Sequence, residues 1–202
     1  MCHSGVIMEN RTFSDSEKKL LLTLARDAIL SKIHKRHNYE IDETELPDTL
    51  RKKHATFVTL TKRGSLRGCI GTLEAYQSLV KDIYEHAIAA AFDDYRFPPV
   101  KESELDQLTI EISVLSEPKE LIYKNADDLV KKIRPGIDGV IIINGTRRAT
   151  FLPQVWEQLP DPNEFLSHLC LKMGATADYW RNIQLKVSTY QVDKFSEQEC
   201  EK

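Results

Sequence analysis

Residues 55–75 read ATFVTLTKRGSLRGCIGTLEA. Phe57 and Val58 begin a run of strand-forming residues, and Lys62, Arg63 and Gly64 supply a tight turn. Leu66, Cys69 and Ile70 then carry a return strand. The next segment, SLVKDIYEHAIAAAF (78–92), puts Leu79, Ile83, Ala87, Ala90 and Ala91 on one side of a helix. Strand, short turn, strand and then helix is the order that decides the fold. A two-stranded turn of this length joins only antiparallel neighbours, whereas parallel neighbours need a long crossover. The pattern therefore predicts an α+β chain with a mixed or antiparallel sheet and flanking helices, not a doubly wound parallel sheet.

The rest of the sequence agrees. SDSEKKLLLTLARDAILSKIHKRH (14–37) is an amphipathic helix with Ser14 or Asp15 as cap and Glu17 in its first turn. Leu20, Leu21, Leu24, Ala28 and Ile29 recur at helical spacing, and Lys35 and Arg36 suit the negative end of the dipole. LTIEISVLS (108–116) alternates, with Ile110, Ile112 and Val114 facing one way and Glu111 and Ser113 the other. NADDLVKKI (125–133) reads as a short helix capped by Asn125, and DGVIIING (138–145) as an apolar strand covered on both faces. NGTRRATFLP (144–153) is its turn and return strand, NEFLSHLCLKMG (163–174) a helix stopped by Gly174, and QLKVSTYQVDKF (184–195) a last strand. The order strand, glycine turn, strand, helix occurs near 55–91 and again near 137–173, which suggests an internal β/α duplication. One domain over 14–196 is expected, with polar, disordered ends at 1–13 and 197–202.

The chain has 202 residues, 41% of them hydrophobic, enough for one substantial core or two small ones. A net charge of −3 with both signs mixed gives no general attraction to nucleic acid or anionic lipid, so any polyanion site must be a local patch. No apolar run reaches the roughly 20 residues that span a bilayer, and the N-terminal stretch lacks the layout of a signal peptide. Cys2, Cys69, Cys170 and Cys200 are too scattered for a zinc or iron–sulfur pattern, and a cytoplasmic location with free thiols is the expectation.

Chemistry is expected at LRGCIG (66–71). Glycine within a strand marks a bulge, a bend or a close approach by another group. Gly68 and Gly71 on either side of Cys69 would leave backbone N–H groups accessible and open space beside the thiol. Strand alternation sends Arg67 to the face of Cys69. A free cysteine is also among the most buried residue types, so the packed thiol and the reactive or ligand-contacting thiol both stand. If Cys69 reacts, His54, His86 and His168 are the candidate bases. AFDDYRFPPV (91–100) makes a stiff loop in which Asp93, Asp94 and Arg96 either hold one another or hold a ligand. Arg147 and Arg148, after a glycine turn, suit a phosphate or carboxylate.

LRGCIGTL, AFDDYRFPPV, LTIEISVLSEP, PGIDGVIIINGTRRATFLPQV, FLSHLCLKMG and a closing YW…V…Y occur in this order. In this the chain resembles the AMMECR-type domain family, in the prokaryotic form that is the A component of the AmmeMemoRadiSam system, over about residues 14–196. The resemblance implies an α+β fold with a larger and a smaller subdomain and a cleft between them. It implies a Memo-like protein and a radical SAM enzyme as partners, and names no cofactor and no established activity. A role in nucleic-acid or nucleotide chemistry has been suggested for the family on fold similarity alone, and a nucleotide or RNA is one ligand to expect at the arginines. Carried over by position, Arg67, Gly68, Cys69, Gly71, Arg96, Pro98, Arg147 and Pro153 match the family's blocks. In GIDGV, Asp138 stands where a histidine is expected in many relatives, so no role of that histidine transfers. Two functions follow as expectations: a ligand- or partner-binding module using Arg67, Gly68, Gly71, Asp94, Arg96 and Arg147, or a cysteine-dependent enzyme using Cys69.

Overall fold

The computed structural model describes residues 13–35 and 41–200. In chain order the elements are α1 (Asp15–Ile33), α2 (Asp48–Arg51), β1 (Ala55–Lys62), β2 (Ser65–Gly71), α3 (Leu79–Phe92), β3 (Leu108–Leu115) and β4 (Lys119–Glu120). There follow α4 (Ala126–Lys132), β5 (Gly139–Asn144), β6 (Arg147–Phe151), α5 (Pro162–Lys172), α6 (Tyr179–Asn182), β7 (Lys186–Tyr190), β8 (Val192–Ser196) and α7 (Glu197–Cys200). They divide into two units: the residues up to Val114 together with those from Asp193 on, and Leu115–Val192.

In the first unit α1 begins with the expected reciprocal cap. The Glu17 N–H donates to Ser14 Oγ at 3.3 Å, and the Ser14 N–H donates to the Glu17 carboxylate at 2.8 Å. Its buried stripe is Leu21, Leu22, Ala25, Ala28 and Ile29, rotated from the expected one, which leaves Leu20 exposed. The deciding hairpin forms as expected. Arg63 and Gly64 both take positive φ, 52° and 81°, the left-handed pair whose twist matches two antiparallel strands. The sheet order is β2-β1-β3-β8. Val58, Leu60, Ile110 and Ile112 of this sheet share a core with Ile83, Ala87 and Ala90 of α3 and Leu21 and Ala25 of α1. Each Val, Leu or Ile among these contributes about 1.5–3 kcal/mol on burial.

In the second unit the order is β4-β7-β5-β6, with every neighbouring pair antiparallel. Val140, Ile142 and Val187 pack with Phe165, Leu166 and Trp180, and Trp156 stacks on Phe165 at 3.6 Å. The two units share one plan. In each, a hairpin is followed by a helix and then a strand that returns beside the hairpin's first strand: β2-β1-β3 in one, β6-β5-β7 in the other.

Three expectations are corrected. QLKVSTYQVDKF is two strands, not one: it breaks at Gln191, whose N–H and C=O both bond to Ser116, and β7 and β8 join different sheets. Phe13, assigned to a polar end, is 1% exposed and packs edge-on to His54. Glu197, assigned to the other end, takes both Nε and Nη2 of Arg26 at 2.6 Å and the Ile110 N–H at 2.8 Å. Residues 1–12, 201–202 and Arg36 lie outside the described residues. Among the described residues no helix is long and apolar enough to cross a membrane.

Candidate functional site

The site is built on β2 and the loop that follows α3. Between the pairs Thr61↔Leu66 and Leu60↔Gly68, Arg67 has no partner. It is the extra residue of a β-bulge, and a bulge re-aims the side chain it carries. The alternation that would set Arg67 beside Cys69 is therefore interrupted. Its guanidinium instead grips Glu104, Nε to Oε1 and Nη2 to Oε2, both at 3.1 Å, and Nη2 also donates to the Pro98 carbonyl at 2.9 Å. Lys62 Nζ adds a bond to Glu104 Oε1 at 2.9 Å. Arg67 first and Lys62 second pull the Glu104 carboxyl down to about 2.

Neither flanking glycine leaves the expected room. A Cβ on Gly68 would collide with the Ala90 carbonyl oxygen of α3, and one on Gly71 with the Thr56 carbonyl oxygen and the Phe57 ring. The glycines admit the protein's own backbone and ring, which is why only glycine fits. Nor is the Cys69 N–H free: it donates to Asp94 Oδ2 at 2.9 Å. Cys69 itself is half-buried. It sits opposite Thr59, whose hydroxyl donates to Sγ at 3.2 Å.

Asp94 is the pivot. It is 3% exposed, and four N–H bonds reach its carboxylate. Arg96 Nε reaches Oδ1 at 2.9 Å and Nη2 reaches Oδ2 at 2.7 Å, with the Arg96 N–H on Oδ1 at 3.2 Å. Arg96 Nη2 also donates to the Cys69 carbonyl at 3.1 Å. The Arg96 guanidinium first, then the Cys69 and Arg96 backbone N–H groups, hold the Asp94 carboxyl well below the usual carboxylate range against the opposing effect of burial. One carboxylate thus fastens the loop to β2. Asp93, by contrast, is exposed. Phe97 N–H closes the turn on the Asp94 carbonyl at 3.0 Å, and the Phe97 ring takes Arg96 at 5.6 Å and Arg67 at 6.0 Å. Between the two fixed residues Asp94 and Arg96 stands Tyr95, 95% exposed. Sequence reasoning missed it. The available signal was an aromatic residue inside a charged, proline-flanked loop.

Residues 22–195 match the family model described as AMMECR1. The chain belongs to the AMMECR1 family. A protein of Methanothermobacter thermautotrophicus is 38% identical over 191 residues, spanning 94% of this chain and 99% of that protein. Protein MK0488 of Methanopyrus kandleri is 38% identical over 92% of this chain and 90% of its own length. The crystal structure of the uncharacterized protein PH0010 from Pyrococcus horikoshii aligns with a TM-score of 0.78 at 35% identity, over 93% of this chain and 94% of that one.

The remaining candidates of this AMMECR1 chain are placed as follows. His86 faces α3's side of the sheet, where its Nδ1 lies 3.1 Å from Thr56 Oγ1 and from the fully buried Asp82; the Thr56 hydroxyl also donates to Asp82 at 2.6 Å. Thr56 and Thr59 differ by an odd step, so His86 and Cys69 lie on opposite faces of the sheet. His54 packs on Phe13. Arg147 and His168 belong to the second unit, where His168 is an exposed residue of α5. Arg147 donates to the Gly174 carbonyl at 3.3 Å and the Tyr179 hydroxyl at 3.0 Å, and rests on the Tyr179 ring at 5.0 Å. Asp138 is buried and chelated by Arg134, with Nη2 to Oδ1 at 2.6 Å. Among the described residues no three His, Cys, Asp or Glu side chains form a group able to hold a metal ion.

Proposed function

We propose that this chain is a partner-binding module whose docking element is the loop 93–98, with Tyr95 as its anchor and the Cys69 face of β2 beside it. The observation that carries the reading is an aromatic side chain 95% exposed on a loop whose backbone is fixed from below by a buried carboxylate. An exposed tyrosine gains little for folding. On a rigid support it gives a partner large contact area at low entropic cost, and Tyr and Arg dominate interface hot spots. The Memo-like and radical SAM proteins implied by the family resemblance are the partners to try first.

The anion version of the reading draws less support from the first unit. Arg67 and Arg96 each already hold a carboxylate, so neither offers a free guanidinium fork. Cysteine-dependent catalysis also draws less: the side chain bonded to Sγ is a threonine, which is no general base at neutral pH. The test is affinity capture from the native host with the wild-type chain and with Tyr95→Ala. It is followed by titration of both against the Memo-like and radical SAM proteins of the same genome and against short RNAs. The expected result is capture of a specific protein whose affinity falls at least about tenfold in Tyr95→Ala. Equal binding by both chains, or RNA as the sole ligand, would overturn the reading.

A further inference from the structure

A second site lies elsewhere in the first unit. Leu20, Thr23, Leu24 and Asp27 follow one another at i, i+3, i+4 and i+7, so they share a face of α1. That face is not the core stripe of Leu21, Leu22, Ala25 and Ala28. Facing it are Ile41, Asp42 and Leu46 from the segment before α2, and Val80 from the start of α3. Together these residues line a half-open cavity of about 360 Å³. Ligand pockets run from roughly 300 to 1,000 Å³, so this one suits a small molecule. Leu20, one of its lining residues, is 44% exposed.

The chemistry of the walls selects the occupant. Leu20, Leu24, Ile41, Leu46 and Val80 are aliphatic. The polar groups are two carboxylates and a hydroxyl: Asp27, Asp42 and Thr23. The neighbouring Glu43 is already neutralised by Lys81 at 2.8 Å. Asp42 receives only the Thr44 N–H and hydroxyl, at 2.9 and 2.6 Å. Among the described residues neither Asp27 nor Asp42 has a cationic partner, and no Lys or Arg lines the cavity. We infer that this cavity is a binding site for a small aliphatic ammonium ion, its hydrocarbon against the five aliphatic side chains and its –NH₃⁺ donating to Asp27, Asp42 and Thr23 Oγ1. Asp27 and Asp42 are both exposed, so a neutral molecule of the same shape gains nothing from the two carboxylates, and an anion meets them as repulsion.

The test is a ¹H–¹⁵N correlation titration of the full chain with n-hexylammonium, 1-hexanol and hexanoate. The site predicts saturable shifts centred on Thr23, Leu24, Asp27 and Asp42, with the ammonium at least about fivefold tighter than the alcohol and no shifts there from hexanoate. Asp27→Asn with Asp42→Asn, both at exposed positions, should bring ammonium and alcohol within about twofold of each other while thermal stability holds. Leu24→Trp, which fills the cavity, should abolish the response to both. Equal binding of alcohol and ammonium, a preference that survives the double substitution, shifts centred elsewhere, or no response at these residues would each overturn the assignment.

Discussion

The hairpins β1–β2 and β5–β6 start from the same plan and end differently. β5–β6 is regular: its register runs without a break from Val140↔Phe151 to Asn144↔Arg147, and Gly139–Ile142 are all buried. It is a packing element. β1–β2 carries a bulge at Arg67, two glycines pressed against backbone, and a carboxylate bonded to its main chain from a following loop. Each unit also buries one aspartate under an arginine, and the contrast repeats there. Asp138 binds Arg134 four residues before it and the Gln191 side chain at 3.2 Å, and its carbonyl takes the Trp156 indole N–H at 2.8 Å, so it consolidates a turn. Asp94 ties a loop to a strand twenty-five residues earlier and leaves Tyr95 bare between its two fastenings. Irregularity that costs stability and leaves an exposed aromatic on a fastened loop is what separates β1–β2, the proposed docking hairpin, from the packing one.

The contrast breaks first at the glycines. In Gly68→Ala the new methyl meets a helix carbonyl that cannot move without α3, so the loss should be about 3 kcal/mol or more. In Gly139→Ala the methyl meets the buried, hydroxyl-bonded Tyr190 ring, whose displacement moves one side chain rather than a helix, and the loss should be smaller. Chemical unfolding of the two variants measures both, and the reverse order would contradict the difference drawn between the hairpins.

Next come the buried ion pairs. Glu104→Gln leaves Arg67 and Lys62 without their carboxylate and should cost about 2–3 kcal/mol. The pH dependence has the same origin. Glu104 titrates near 2 in the folded chain against an ordinary 4.5, and Asp94 is lowered too. Their stabilisation is therefore complete above about pH 4.5 and is lost as pH falls toward 2. Acid unfolding followed by circular dichroism should show this loss, and Glu104→Gln should flatten it.

The thiols give a smaller effect. In a chain with Cys2 and Cys200 replaced by serine, Cys69 should alkylate in the native state. Cys170 is fully buried, and burial pushes its thiol up, so it should alkylate only on unfolding. Cys170→Ser should cost about 1–2 kcal/mol and Cys69→Ser less than about 1 kcal/mol. Smallest of all is Tyr95→Ala. Calorimetry should find it within about 0.5 kcal/mol of wild type, although it removes the proposed docking anchor.

Much of the fold was legible because its signals are local. The Ser14–Glu17 cap, the Arg63–Gly64 turn, the Asn125 cap and the Gly174 stop act within a few residues of themselves. The break at Gln191 was not legible, since an unbroken alternation carries no mark of the point where a chain changes sheets. At the site, LRGCIG and DDYRFPP were found as segments but their roles were not. The Arg67–Glu104 bond joins positions thirty-seven apart, and no pattern in the sequence couples them. The glycines were read as room for a visitor because sequence shows a missing side chain without showing what fills the space. Tyr95 was overlooked because exposure, the property that matters for it, is decided by the Asp94 fastening beneath.

That fastening can be tested directly by amide hydrogen exchange at Cys69 and Arg96, whose N–H groups both donate to Asp94. Strong protection in the wild-type chain, falling by about tenfold or more at these two amides in Asp94→Asn while the β5–β6 amides keep theirs, is the result expected of a preorganised loop. Unchanged protection at Cys69 and Arg96 in Asp94→Asn would mean that Asp94 does not hold the loop, and Tyr95 would lose its rigid support.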